Sequence, residues 1–306
     1  MNSPETPQTV HRHPVELFFE RHGMKVWKGF VGFFILYVLL PPLLLVTISF
    51  DPSGVVRMPT GFSLQWYEVM INDKALQGAI FKSIILAFLT TFLATFLALM
   101  AALGFRKTKY KTLVIAVMIL PIFLPGIIQG FSLSIVLSQF FGVERNFWTE
   151  LAGHVMWALP FAFLVVLTSM SAVSREWVLA ALDLGANPWR AFKDIEYPII
   201  KPGITSAAIF SFVLSFNEFS RTFYLYGTGE TLPIYVWNRI FVATSPQTFA
   251  ISALTVILSL TLVGLATWYL TRVGRVAKET LEKGVAEQQD MPGGSRSDKP
   301  PAVADG

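Results

Sequence analysis

The sequence predicts an all-α membrane protein of six transmembrane helices, with both termini cytoplasmic. Three observations predict it. The 306 residues are 53% hydrophobic and only 14% charged, where a soluble domain carries about 25% charged residues. The apolar residues gather into runs near the ~20 that a helix needs to cross a bilayer, and these runs stay apolar on every face, unlike the one-sided helices of soluble proteins. Finally, Lys and Arg are dense in alternate connections and sparse in the others, as the positive-inside rule requires.

The runs lie at about Trp27–Phe50, Ala79–Leu103, Thr112–Leu137, Leu151–Met170, Pro202–Tyr224 and Phe249–Leu270. Residues 1–26 form a cytoplasmic N-terminal segment, 27–272 the transmembrane domain and 273–306 a cytoplasmic tail, expected to be disordered from about Lys283, where Gly, Pro, Ser, Asp and Gln dominate. Arg12, Arg21, Lys25 and Lys28 precede or open the first run. Arg106, Lys107, Lys109 and Lys111 lie in the second loop, and Arg175, Arg190, Lys193 and Lys201 in the fourth. With the tail cations from Arg272 onward, these account for three quarters of all Lys and Arg and put that side in the cytoplasm. The first run is too long for a signal peptide and no small-residue cleavage site follows it. Instead Asp51-Pro52-Ser53-Gly54 turns the chain into an outer loop, where Trp66 and Tyr67 suit the membrane interface.

Several classes of chemistry are excluded. There is no cysteine, hence no disulfide or thiolate ligand. A net charge of +4 is too small to point to nucleic acid. No span carries a His/Glu pair at i, i+4, so no metal site is expected. The chain has no G-x-x-x-x-G-K-[ST] phosphate loop and cannot hydrolyse ATP alone.

The fourth loop, 171–201, is too long for a tight link and too patterned for a floppy one. Residues 176–184 read as a short helix stopped by Gly185. Asn187 can cap a second helix with Pro188 at its first position. Trp189, Phe192 and Ile195 give that helix one apolar face, and Pro198 and Pro202 end the unit and start the fifth span. Two roles suit such a pair: packing against its own bundle, or offering an apolar knob to a soluble partner.

The run Ala180-Ala181-x-x-x-Gly185 followed by Ile195-x-Tyr197-Pro198 resembles the E-A-A-x-x-x-G…I-x-L-P loop of ABC-importer permeases, and residues 181–192 resemble its spermidine/putrescine-type version. Leu120-Pro121-x-x-Leu124-Pro125-Gly126, His154 with Ala158-Leu159-Pro160-Phe161, and Ser215-Phe216-Asn217-Glu218-Phe219 followed by Thr231-Leu232-Pro233 and Ser245-Pro246 extend the likeness from about Trp66 to Leu270. It departs at Leu179, where the motif has Glu; Glu176, one turn earlier, is the available substitute. The resemblance implies the type I ABC-importer permease fold. It also implies that Glu176, Ala180, Ala181, Asp183, Gly185, Ala186, Asn187, Pro188, Trp189 and Pro198 form the surface that docks on an ATPase. The implied partners are a second, homologous permease subunit, two ATP-binding subunits that bind ATP and Mg, and an extracytoplasmic binding protein, in a bacterial inner membrane.

Ser211, Ser215, Glu218 and Thr222 recur at spacings of four, three and four, on one helical face with Ala207. That face either packs helices or lines the solute pathway together with Asn217 and Arg221. Glu218 stands ~24 Å along the helix from Pro202, in the outer third of a core ~30 Å thick, where a carboxylate would attract a cation. Polyamine permeases typically carry two acids here; Asn217 replaces one. Arg221 either pairs with Glu218 or selects an anionic group. Pro121, Pro125 and Gly126 mark a kink or gate in the third span. Lys82 is expected to snorkel outward, while His154 and Gln129 are expected to hydrogen-bond between helices. The solute expected is a polyamine or related organic cation, with opine-like amino-acid derivatives, ferric iron and phosphonates as alternatives. An ion-coupled carrier would need charge at mid-membrane, and a membrane enzyme would need a catalytic cluster; neither is visible in the sequence.

Overall fold

A computed structural model describes residues 14–53, 61–242 and 247–289, and all regular structure among them is helical. In chain order the helices are α1 (Pro14–Ile48), α2 (Gln65–Ile71), α3 (Lys74–Lys107), α4 (Lys111–Phe123), α5 (Gly126–Ile135), α6 (Phe147–Met170), α7 (Arg175–Asp183), α8 (Pro188–Ala191), α9 (Tyr197–Phe216), α10 (Thr222–Leu225), α11 (Leu232–Val242) and α12 (Gln247–Gln289). Single π turns follow α5 at Val136–Phe140 and α8 at Phe192–Glu196. Five stretches among the described residues are long and apolar enough to cross a membrane, or six if the bent pair α4/α5 is counted as one broken span. The chain divides into two compact units, residues 1–72 with 243–256 and residues 73–242 with 257–306.

In the first unit, the chain leaves α1 through the turn expected at Asp51. Ser53 Oγ donates to Asp51 Oδ2 at 2.6 Å, and Trp66 Nε1 donates to the Asp51 carbonyl at 3.0 Å. Ser49 Oγ and Tyr67 Oη are 2.6 Å apart, and Phe50 stacks between Phe62 and Tyr67 at 5.0 Å from each. The interfacial rings thus anchor α2 to the end of α1. Gly54 lies outside the described residues.

In the second unit, α3, α6 and α9 form the core. Their facing stripes are small residues at i, i+4: Ala94, Ala98 and Ala102 on α3; Ala158 and Ala162 on α6; Gly203, Ala207, Ser211 and Ser215 on α9. Lipid gives helices no hydrophobic reason to associate, so close backbone approach has to supply dispersion contacts. A Cβ on Gly203 would fall 1.7 Å from Ser169 Oγ, so this crossing admits only glycine. Helix ends are capped by side chains. Asp73 Oδ1 accepts from the amides of Ala75 and Leu76, and Asn146 and Thr149 form a reciprocal capping box on α6.

Four expectations need correcting. The third span is no single helix with a kink but two helices bent by 104°. Pro125 lacks the N–H that would bond the Pro121 carbonyl, and it holds Leu124 extended (φ −91°, ψ 136°). The Gln129 side-chain amide donates to that orphaned carbonyl instead. The fifth span ends at Phe216 rather than Tyr224, because Asn217 leaves the helix and the Glu218 carboxylate starts a new turn by accepting from Arg221 N at 2.8 Å. Its start differs as well: Pro198 and Pro202 do not begin a separate helix, since Pro188–Phe216 runs as one helix through the π turn. Finally, α12 continues to Gln289, past the expected end of order near Lys283; no proline interrupts it before Pro292.

Candidate functional site

The fourth loop carries one candidate surface. Ser174 Oγ caps α7 by accepting from Glu176 N at 3.2 Å. At the other end Ala186 N donates to the Ala181 carbonyl at 3.0 Å and Gly185 N to that of Leu182 at 2.9 Å, with Gly185 at φ +89°. This is the paired bonding of a Schellman stop, which needs a left-handed residue. Asn187 Oδ1 then accepts from Arg190 N at 2.8 Å, with Pro188 at the first position of α8. Of the two roles read from the sequence, the packing role is met: Val178 and Phe192 pack on the α3/α6/α9 core. Trp177, Leu184 (89% exposed) and Trp189 (67%) stay exposed, with the Trp189 ring 5.8 Å from that of Phe192. Glu176, Ala180, Asp183, Gly185, Asn187, Pro188 and Pro198 are also exposed, and Ala181 and Ala186 half-buried. At the base of the unit, Glu196 Oε2 accepts from Arg106 Nη1 of α3 at 2.7 Å.

The second candidate lies where α5, α6 and the chain after α9 meet. Arg221 Nη1 donates to Glu218 Oε2 at 3.0 Å, Arg221 Nε donates to Gln129 Oε1 at 2.6 Å, and the guanidinium carbon lies 4.0 Å from the centre of the Trp157 ring. The backbone of α5 comes close enough to permit this. A Cβ on Gly130 would fall 2.7 Å from Arg221 Cα, and one on Gly126 2.9 Å from Arg221 Nη1. His154 sits beside the cluster, 2.7 Å from Ser215 Oγ through Nδ1 and 2.7 Å from Thr222 Oγ1 through Nε2. The Thr222 hydroxyl donates to the Glu218 carbonyl at 3.1 Å, so it accepts from His154. The tautomer that satisfies the network therefore carries its proton on Nε2.

Ser215, Glu218, Arg221 and Thr222 are thus brought together, and all are buried. Ser211 is buried too, but in the small-residue stripe, where its hydroxyl has no partner among the described residues. Asn217 alone of the expected pathway residues is exposed, and its Oδ1 accepts from Ser259 Oγ at 2.7 Å. Pro121, Pro125 and Gly126 mark the α4/α5 bend that carries Gln129. Lys82 does not snorkel outward. Its Nζ donates to Glu150 Oε1 at 2.6 Å and to the Thr228 and Gly229 carbonyls at 3.1 and 2.9 Å, because a buried carboxylate on α6 faces it. Sequence reasoning missed Glu150 and Trp157. Their spacing from His154, four before and three after, was the available signal; Glu150 and His154 form an i, i+4 pair, which is passed over when the fourth span is begun at Leu151, whereas α6 begins at Phe147.

At the N-terminal end of α3, Tyr235 Oη donates to Asp73 Oδ2 at 2.5 Å. Burial alone would raise the Asp73 carboxyl, but the Tyr235 hydroxyl, the Leu76 and Ala75 amides and Arg239 hold it below its ordinary value. Burial and the carboxylate push the Tyr235 hydroxyl up to about 12.

Comparison with known proteins places this architecture. Residues 91–275 match the family described as "Binding-protein-dependent transport system inner membrane component". The chain is 26% identical over 244 residues to the spermidine/putrescine transport system permease protein PotC of Escherichia coli K12, covering 79% of this chain and 92% of PotC. It is 28% identical to the putrescine transport system permease protein PotI of the same organism, covering 78% and 88%. It is also 28% identical to the putative 2-aminoethylphosphonate transport system permease protein PhnV of Salmonella typhimurium LT2, covering 82% and 93%. Among solved structures, a bacterial ABC transporter that imports the acidic polysaccharide alginate superposes with a TM-score of 0.64 at 15% identity, over 85% of this chain and 99% of that one. The family match spans more than half of the chain and the fold agrees with it: this multi-pass membrane protein belongs to the family of binding-protein-dependent transport system inner membrane components.

Proposed function

We propose that the chain is one permease subunit of an ATP-driven bacterial inner-membrane importer for a polyamine or a related small alkylammonium solute. The observation that carries this reading is the helix Pro188–Phe216. One end of it is the exposed α8 surface with Trp189. The other end carries Ser215 and leads straight into the turn that holds Glu218, Arg221 and Thr222 in the buried cation cluster. At ~1.5 Å per residue this helix reaches about 40 Å, so a push on α8 moves the cluster as a rigid rod would.

In this reading the Lys/Arg-rich side, with both termini, faces the cytoplasm. Two ATP-binding subunits, carrying ATP and Mg, dock on the α7/α8 surface. A second homologous permease completes the channel and an extracytoplasmic binding protein delivers the solute. When the ATPases close, α7 and α8 move together, since the Schellman stop at Gly185 and the Asn187 cap make them one unit. The Arg106–Glu196 pair carries the displacement to α3. The α4/α5 bend is the element whose angle can change as the bundle alternates its access. The polyamine relatives support the solute class, and 2-aminoethylphosphonate shares a primary ammonium with it.

The test is to reconstitute the importer in proteoliposomes and screen solutes for binding-protein-dependent stimulation of ATP hydrolysis. Putrescine or spermidine should stimulate. Stimulation by 2-aminoethylphosphonate, an opine or ferric iron, with none by any polyamine, would overturn the solute assignment. No stimulation by any solute in an assembled complex would overturn the import reading.

A further inference from the structure

We propose that the Glu218 carboxylate, the Gln129 side-chain oxygen and the Trp157 ring form a binding seat for the cationic group of the solute, and that Arg221 occupies this seat in the present conformation. The inference rests on the reading that the solute carries an alkylammonium group.

The seat has what recognition of an organic cation needs. A carboxylate lies 3.0 Å from the guanidinium, a neutral acceptor 2.6 Å from it, and an aromatic face 4.0 Å from its carbon. Charge, directed hydrogen bonding and the ring quadrupole thus act on one cation, the combination that selects ammonium and guanidinium groups. The three groups come from three separate elements: the turn after α9, α5 and α6. The seat is therefore assembled only when these elements meet, and it comes apart if the α4/α5 bend changes. Gly130 lets the Arg221 backbone lie against α5, and Gly126 leaves room beside it for the guanidinium.

Rings continue away from the seat. Phe161 packs edge-on against Trp157 at 4.8 Å, and Phe210 of α9 packs against Phe161 at 5.7 Å. Trp157 and Phe161 are half-buried and Phe210 is exposed, so this ladder presents further ring surface to a cation leaving the seat.

Charge balance decides how the seat works. With Arg221 in place the Glu218 charge is neutralised, and a second cation meets no net attraction. Solute and Arg221 therefore compete. The seat admits a solute only when the guanidinium withdraws, and the return of Arg221 expels it. A resident cation of this kind prevents the bundle from holding its cargo in this conformation.

The test uses the assembled complex in detergent, without binding protein or ATP, and follows melting of the permease. In the Arg221→Ala variant, ~10 mM methylguanidinium or putrescine should raise the melting temperature by about 3 °C or more over equal sodium chloride. The wild-type protein should not respond, and adding Glu218→Gln to Arg221→Ala should remove the shift. An unresponsive Arg221→Ala variant, an equal shift in the wild type, or a shift that survives Glu218→Gln would overturn the proposal. If Arg221→Ala does not survive purification, Arg221→Lys keeps the charge without the guanidinium fork. Methylguanidinium should then compete and shift melting by about 1 °C or more, and no shift would count against the seat. This readout needs no transport. A seat that responds in a complex unstimulated by any solute would sink the import reading alone, and the reverse result the seat alone.

Discussion

Arg106 of α3 and Glu196 at the base of the fourth loop form an ion pair at 2.7 Å, and it joins the helix pair of that loop to the core bundle by a contact other than the covalent chain. The Arg106 side chain is 30% exposed, so the pair contributes only about 0.5–1 kcal/mol to stability. Its effect should appear in coupling instead. Arg106→Ala should lower the melting temperature by no more than a few degrees, yet cut solute-stimulated ATP hydrolysis severalfold. The charge-swapped double variant Arg106→Glu/Glu196→Arg should recover most of that loss, and equal activity in the single variant and the wild type would remove the pair from the coupling route.

Gly185 tests the docking surface. A Cβ there meets nothing within 4 Å, so space does not restrict the position; the left-handed φ of +89° does. Gly185→Asp costs roughly 1 kcal/mol in backbone conformation and places a charge amid exposed apolar groups. The variant should insert normally and lose transport. Retained transport would count strongly against docking at α7/α8.

The α6/α9 crossing makes a prediction about packing. Any side chain at Gly203 strikes Ser169, so Gly203→Ala should destabilise by about 1–3 kcal/mol. Ser169→Gly removes both the Oγ and the Cβ that obstruct, and the double variant Ser169→Gly/Gly203→Ala should regain thermal stability in detergent relative to Gly203→Ala. Absence of any recovery would mean the crossing relaxes elsewhere.

The Asp73–Tyr235 contact should give the protein a pH-dependent stability at both extremes. Asp73 is held below its ordinary 3.8, so it stabilises the fold above that pH and the contribution fades as pH falls through the lowered value. Tyr235 is raised from 10.0 to about 12, so its contribution is complete below pH 10 and is lost as pH rises toward 12. Melting temperature should therefore fall at each extreme. Tyr235→Phe should flatten the alkaline limb and lower neutral-pH stability by about 1 kcal/mol; an unchanged alkaline limb would show that the hydroxyl does not titrate with folding.

The sequence by itself determined the all-helical membrane architecture, the capped helix pair of the fourth loop and the family. These rest on runs of apolar residues and on local signals such as Gly185, Asn187 and Pro188, which act within a few residues of chain. Tertiary structure decided what long-range contacts decide. Lys82 turned inward because Glu150 lies 68 residues away in sequence and 2.6 Å away in space. The fifth span stopped at Phe216, although its polar periodicity continues to Thr222, because Glu218 bonds the Arg221 amide more locally than a helix would. The sequence offered Arg221 as a partner for Glu218 and left pairing as one of two alternatives; the structure shows the pair and adds Gln129 and Trp157 to it. Arg221 lies one turn away on any helix, whereas Gln129 and Trp157 reach it only through the bend at Pro125 and the glycine-lined approach of α5. A helical period records which residues share a face; what that face meets depends on how the other helices cross it.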